Sequence, residues 1–338
     1  MKYKIHKYLI YCLLFLFILP LTLFAGCNRK KEPISKSGFY FDTIIKITLY
    51  DASKEYLLDE CMELANTYEQ YFSATLSDSD ISKINQAKGA PVEVHKETIE
   101  LMEKGLYYSN LSKGGFDITI GRLSCLWDFG ENEGDIPLDT DIQLAVSTVN
   151  YENVVIDENR VSLKNPDTRI DLGAIAKGYI ADKMKEYLNA NGVTEGIINL
   201  GGNVLCIGKK ANGDSYTIGI QKPFDDTGSP IAAVEVTEET VVSSGVYERY
   251  FQVDEKLYHH ILNPKTGYPY ENDLYGLTII CDKSVDGDGL STTCFALGME
   301  KGMELIESLP DTEAIFITSD GEMHFSSGMG TLIPYRVY

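Results

Sequence analysis

Ile170 to Gly208 reads "IDLGAIAKGYIADKMKEYLNANGVTEGIINLGGNVLCIG". The segment passes from an extended start at Ile170 into a helix. Ile180, Met184, Tyr187 and Leu188 form one apolar stripe, and Gly192 stands where a C-terminal cap belongs. "GIINL" and "NVLCIG" are then two strand-like runs separated by Gly201-Gly202, the pattern of a strand, a tight turn and a returning strand. A helix feeding a hairpin, rather than strict strand–helix alternation, points to an α+β fold.

The flanks agree. "FYFDTIIKITLY" alternates and reads as a strand. Lys54 to Phe72 has helical spacing through Tyr56, Leu57, Met62, Leu64, Ala65 and Tyr68. "SDSDISKIN" offers a capping pattern, Ser77 with Asp80, and a third helix runs from about Lys96 to Asn110. After Gly121 the chain reads as a long loop around Trp127, the only tryptophan, and a loop of that length is functional or disordered. "NVVIDENRVSLK" predicts a hairpin turning at Asp157 to Asn159. More strands follow through Tyr258, then the loop "HHILNPKTGYPY", the strand "LYGLTIICD", two helices to Ser308 and the hairpin "AIFITSDGEMHFS". Helices grouped early and strands spread along the chain make one large body, residues 38–338.

The start of the chain is different in kind. Lys2, Lys4 and Lys7 precede an apolar run from Tyr8 to Phe24, and "LTLFAGC" follows. Residues 1–26 read as a secretory signal, cut before a lipidated Cys27, with 27–37 as a tether. An uncleaved anchor is the alternative, since the run approaches spanning length. Either reading puts the body outside the cytoplasm, on a membrane. The net charge is −20, which disfavours a nucleic-acid partner. Seven cysteines include Cys12 in the leader and Cys27. The other five show no C-x-x-C spacing, so buried thiols are expected, with a disulfide open in this compartment.

Four stretches hold candidate chemistry. In "DLGAIAKG", Asp171 and Lys177 flank a helix start that either is simply capped or receives an anion on its free N–H groups. "NLGGNV" is a turn or a close approach to a ligand. "HHILNPKTGYP" sets two of five histidines beside a tight turn, either packed or moving protons. In "GDGLSTTCFALG", Asp288 and Thr292 lie one helical turn apart. They are a cap or, with Ser291, oxygen ligands of the kind that suit Mg²⁺. A helix N-terminus repels a bare cation, so a metal there is expected to arrive with a phosphate.

Taken together and in order, "FSATLSDSDISKIN", "GGFDITIGRLSCLWDFG", "IDLGAIAKGYIAD", "INLGGNV", "SSGVYERYF", "HHILNPKTGYP" and "DGLSTTCFALG" resemble the ApbE-type flavin transferases over the whole mature chain. The resemblance implies a two-lobed α+β domain with mixed or antiparallel sheets and a ligand cleft between the lobes. It implies that Asp171 and Lys177 contact FAD, and that Trp127, Asp128 and Phe129 form the loop holding the flavin. Ala174 would give a backbone carbonyl to Mg²⁺, with Asp288, Thr292 and Ser291 as further metal ligands. His260 would stand at the reaction centre with Asp288. The sequence departs from the family at Phe41-Asp42, at Thr75, where a tyrosine often packs on FAD, and at Asn263 before Pro264.

The implied activity is Mg²⁺-dependent transfer of FMN from FAD to a Ser/Thr hydroxyl, with release of AMP. The implied acceptors are extracytoplasmic electron-transfer proteins carrying a short flavinylation motif. The alternatives are a Mg²⁺-dependent FAD pyrophosphatase and an FAD-binding lipoprotein without chemistry.

Overall fold

The structure, a computed structural model, describes residues 32–132, 134–225 and 227–338. The expected signal, residues 1–26, and Cys27 lie outside them. Pro33–Tyr338 pack as one unit. Strand β1 (Ile34–Tyr40) begins inside the stretch expected to be tether, because it pairs residue for residue with β2 (Thr43–Leu49).

Helices α1 (Tyr56–Phe72) and α2 (Asp80–Gln86), strand β3 (Val92–Glu93) and helix α3 (Lys96–Leu111) follow. The α2 cap is Ser79, not Ser77: its side chain accepts the Ser82 N–H. Asp80 is instead buried, where it receives the His95 N–H and Nδ1 and the Thr98 hydroxyl. The expected long loop contains two helices, α4 (Gly121–Trp127) and α5 (Asp139–Val146). Their few apolar residues close a separate small core of Leu123, Trp127, Ile142, Ala145, Tyr258 and Leu262. Strands β4 (Val154–Asp157) and β5 (Arg160–Leu163) form the predicted hairpin. Before α6 (Gly173–Ala190) the expected strand shrinks to a single bridge between Ile120 and Arg169.

Strands β6 (Gly196–Leu200) and β7 (Asn203–Ile207) turn at Gly201 and Gly202, with φ of 60° and 93°. Both angles suit the two-residue hairpin turn that glycine forms without strain. The order continues through β8 (Tyr216–Gln221), β9 (Pro230–Val236), β10 (Thr240–Gly245), β11 (Tyr250–Val253), β12 (Lys256–His259) and β13 (Leu274–Cys281). It ends with α7 (Ser284–Leu297), α8 (Met299–Glu307), β14 (Glu313–Thr318), β15 (Met323–Phe325) and β16 (Tyr335–Val337).

The frame is one eight-stranded sheet, ordered β1-β2-β6-β7-β10-β13-β14-β15, in which every pairing is antiparallel. Alternation splits its side chains between two faces. Ile279, Ala314 and Phe316 join the helical core, while Ile280, Ile315 and Ile317 pack in the core with β8 and β9. Burial on both faces explains why β13 is almost continuously apolar. The α+β class stands, with antiparallel sheets and helices in a single domain. Of the five cysteines in the described residues all are free; Cys125 is exposed and the others are buried.

Candidate functional site

Helix α6 crosses α7 with almost no space between their backbones. A Cβ on Gly178 would sit 2.2 Å from the Ser284 carbonyl oxygen, so only glycine permits this approach. The crossing delivers the Gly178 N–H to Oδ2 of Asp288 at 2.6 Å. In a regular helix that N–H points at the carbonyl of residue 174. The other oxygen, Oδ1, accepts from Asn203 Nδ2 at 3.0 Å. Asn203 opens β7 directly after the glycine turn and also receives the Ser284 hydroxyl at 2.6 Å.

Asp288 is 5% exposed. Burial raises its pKa, while the charge of Lys177 and its two hydrogen bonds pull the other way. A carboxylate oxygen has two acceptor sites, so each retains capacity for a cation. Asp288 does not start its helix: α7 begins at Ser284, one turn earlier. The cap is Asp182 of α6, which accepts the N–H groups of Ser284 at 2.9 Å and Val285 at 3.0 Å. A carboxylate on the positive helix end offsets its field. The repulsion expected for a cation near that end is thereby reduced without any phosphate.

Thr292, one turn beyond Asp288, is half-buried, and its hydroxyl has no hydrogen-bond partner among the described residues. Ser291 is turned elsewhere, to Ser244 Oγ at 2.9 Å and the Asp288 carbonyl at 2.9 Å. At the α6 start, Asp171 Oδ1 accepts the Gly173 N–H at 2.8 Å, and Gly173 and Ala174 are exposed. No cluster of three His, Cys, Asp or Glu occurs among the described residues. The expected ligands, the Asp288 carboxylate, the Thr292 hydroxyl and the Ala174 carbonyl, offer oxygen alone, the donor type that suits a hard cation such as Mg²⁺.

The adjacent histidines have different duties. His259 spends both ring nitrogens, Nε2 on the Tyr270 carbonyl at 3.0 Å and Nδ1 on the Ile261 N–H at 3.3 Å. His260 leaves Nδ1 buried and without a partner. Burial first, then His259, Lys177 and Arg249, lowers its pKa to about 3, so the ring is neutral. A buried polar atom without a partner is costly, and Thr293 Oγ1 shares that state.

The aromatic loop is arranged differently from the expectation. Trp127 is fully enclosed, donating Nε1–H to the Gly267 carbonyl at 2.7 Å and stacking on Phe129 and Tyr258. From there it holds the Asp128–Phe129 turn, where Asp128 has φ 42°. Thr75 is exposed and bonded to Ser73. Cavities of about 740 Å³ beside α8 and about 300 Å³ between α4 and α5 both lie away from Asp288. Neither is the expected cleft.

Asn203 and Asp182 do not stand out in the sequence as site residues. Asn203 had a signal, a polar residue closing a glycine turn and entering a buried strand; Asp182 had none beyond an acid on an apolar helix face.

The profile of the ApbE family matches residues 41–316. The chain belongs to the ApbE family. Among similar ApbE relatives is a FAD:protein FMN transferase of Klebsiella pneumoniae, 36% identical over 87% of this chain and 92% of its own. Another, of Treponema pallidum, is 31% identical over 90% of each chain. The crystal structure of the ApbE protein of Thermotoga maritima is 30% identical with a TM-score of 0.81, covering 88% of this chain and 97% of that one. The flavin transferase ApbE of Vibrio cholerae has a TM-score of 0.77 at 27% identity, over 88% and 97%.

Proposed function

We propose that this chain is a FAD:protein FMN transferase that works outside the cytoplasm, anchored to the membrane through a lipid on Cys27. It moves FMN from FAD to a Ser/Thr hydroxyl of an acceptor protein, and AMP leaves. Near-full-length relatives bearing that name support the reaction class. The observation that carries the site assignment is Asp288, a buried carboxylate held by Gly178 and Asn203.

Asp288, the Thr292 hydroxyl and the Ala174 carbonyl would hold Mg²⁺. When bound, the ion neutralises and polarises the pyrophosphate. The protein's own groups do the rest. Gly178 and Asn203 fix the carboxylate so that it loses no freedom on binding. Lys177 adds a positive charge near the same carboxylate and His260. Asp171 shapes the open start of α6. The neutral His260 ring, with Nδ1 as acceptor, receives the hydrogen bond of the incoming hydroxyl and orients it toward phosphorus. The hydroxyl oxygen forms the new phosphoester, the bond from phosphorus to AMP breaks, and the hydroxyl proton departs through that hydrogen bond. The acceptors are extracytoplasmic electron-transfer proteins with a short Ser/Thr motif.

The test is incubation of the protein with FAD, Mg²⁺ and a candidate acceptor, followed by mass spectrometry of the acceptor. An acceptor carrying one FMN supports the reading; free FMN and AMP with an unmodified acceptor would make the protein a pyrophosphatase.

A further inference from the structure

Arg249 lies in the connection between β10 and β11. Its carbonyl accepts the His260 N–H at 3.1 Å. Its Nη2 donates to the Asp42 carbonyl at 3.1 Å, at the tip of the β1–β2 hairpin. That tip is strained: Phe41 and Asp42 have φ of 52° and 54°, left-handed values that cost bulky residues energy. The Phe41 N–H is fixed by Glu69 Oε1 at 2.6 Å. The turn is thus held in a shape that presents its carbonyl to Arg249.

The guanidinium forms no ion pair among the described residues, in a chain of net charge −20. The same is true of Lys177. Both nevertheless border the site: Arg249 pairs its main chain with His260, and Lys177 directly precedes Gly178, whose N–H holds Asp288. Two cations without an ion pair thus flank the residue whose Nδ1 has no partner, with Arg249 exposed and open to a ligand. One guanidinium N–H goes to Asp42, and four donors remain in the planar fork that matches phosphate oxygens.

We infer that Arg249 binds a phosphate group of the nucleotide substrate, as a second cation working with Lys177. The assignment rests on the flavin-transfer reading for the identity of the nucleotide, and on the site's own geometry for the anion. The bond to Asp42 pre-orients the fork, and the main-chain bond from His260 keeps the Arg249 backbone beside that of the histidine.

The test compares wild type, Arg249→Met and Arg249→Lys by FAD fluorescence titration, by competition with inorganic pyrophosphate, and by ligand-free melting. Arg249→Met should weaken FAD and pyrophosphate binding by about ten- to a hundredfold, as expected for loss of a charged hydrogen-bond donor. Arg249→Lys should recover part of that loss, and the ligand-free melting temperature should stay unchanged in both. Wild-type affinity in Arg249→Met would overturn the assignment. So would a loss that tracks a lowered melting temperature and is not recovered by lysine. A wild type that binds pyrophosphate but not FAD would sink the flavin reading while leaving Arg249 an anion ligand.

Discussion

The Gly178 main chain donates to Asp288 at 2.6 Å across 110 residues of sequence. The contact exists because α6 and α7 cross with a glycine at the point of closest approach. Gly178→Ala would place a methyl group 2.2 Å from the Ser284 carbonyl and 2.6 Å from the Val285 nitrogen. Backbone cannot yield as a side chain can, so the helices must part. Urea unfolding should show a loss of about 2 kcal/mol or more, with Mg²⁺-dependent activity reduced further than stability explains. An unchanged unfolding midpoint would mean that the crossing is looser than its geometry.

Ser291 and Thr292 should separate by experiment. The Ser291 hydroxyl is engaged with Ser244 and the Asp288 carbonyl, so Ser291→Ala should cost about 1 kcal/mol of stability and leave Mg²⁺ binding largely intact. Thr292→Ala removes a hydroxyl with no partner in the protein and should weaken Mg²⁺ binding while sparing stability. Calorimetric titration with Mg²⁺ decides; the opposite pattern would make Ser291 the ligand.

Asp182 should leave a signature in the pH dependence of stability. Burial raises its pKa to about 6, against the pull of the Val285 and Ser284 N–H groups. In the unfolded chain it titrates near ~3.9. Between those values the folded chain keeps a proton that the unfolded chain has released. Its contribution therefore falls as pH rises from ~4 to about 6, by roughly 3 kcal/mol in all. Unfolding of Asp182→Asn followed across that window should show a flatter profile; identical slopes would remove Asp182 as the cause.

The two histidines act with the opposite sign. Burial lowers the His259 pKa to about 4 and, with neighbouring charges, that of His260 to about 3. Unfolded, each takes a proton near ~6.5, so their contribution is present above that pH and is lost as pH falls toward 4 and 3. Their ring-proton NMR signals should hold neutral-form positions from pH 8 down to about 5. A midpoint near 6.5 in either would show that the ring is solvated.

His260→Ala should remove most FMN transfer in single turnovers with FAD bound, by about a hundredfold if the imidazole handles the hydroxyl proton. His259→Asn should instead act through stability, since both His259 nitrogens serve the backbone. Transfer at the wild-type rate in His260→Ala would leave the orienting role unsupported.

Much of this molecule is local in its causes. Hydrophobic period placed α1, α3 and α6, glycine turns placed the β6–β7 hairpin, and a continuous apolar run placed β13. The motif order was enough to indicate the ApbE family. Less was legible where sequence patterns are short: α4 and α5 lie in what reads as loop, because seven or eight residues barely complete two turns. Ser79 rather than Ser77 caps α2, since the two serines are equivalent until Asp80 is committed to His95 and Thr98.

The site was decided at long range. Asp182 caps α7 from 102 residues away, Asn203 reaches Asp288 over 85, and Trp127 is bonded to Gly267 over 140. Period and capping chemistry act within a turn or two, so sequence alone could name Asp288, Lys177 and His260 without saying which oxygen or nitrogen each keeps free. That depended on packing: where two helices may touch, which hydroxyl is already spent, and which buried atom is left without a partner.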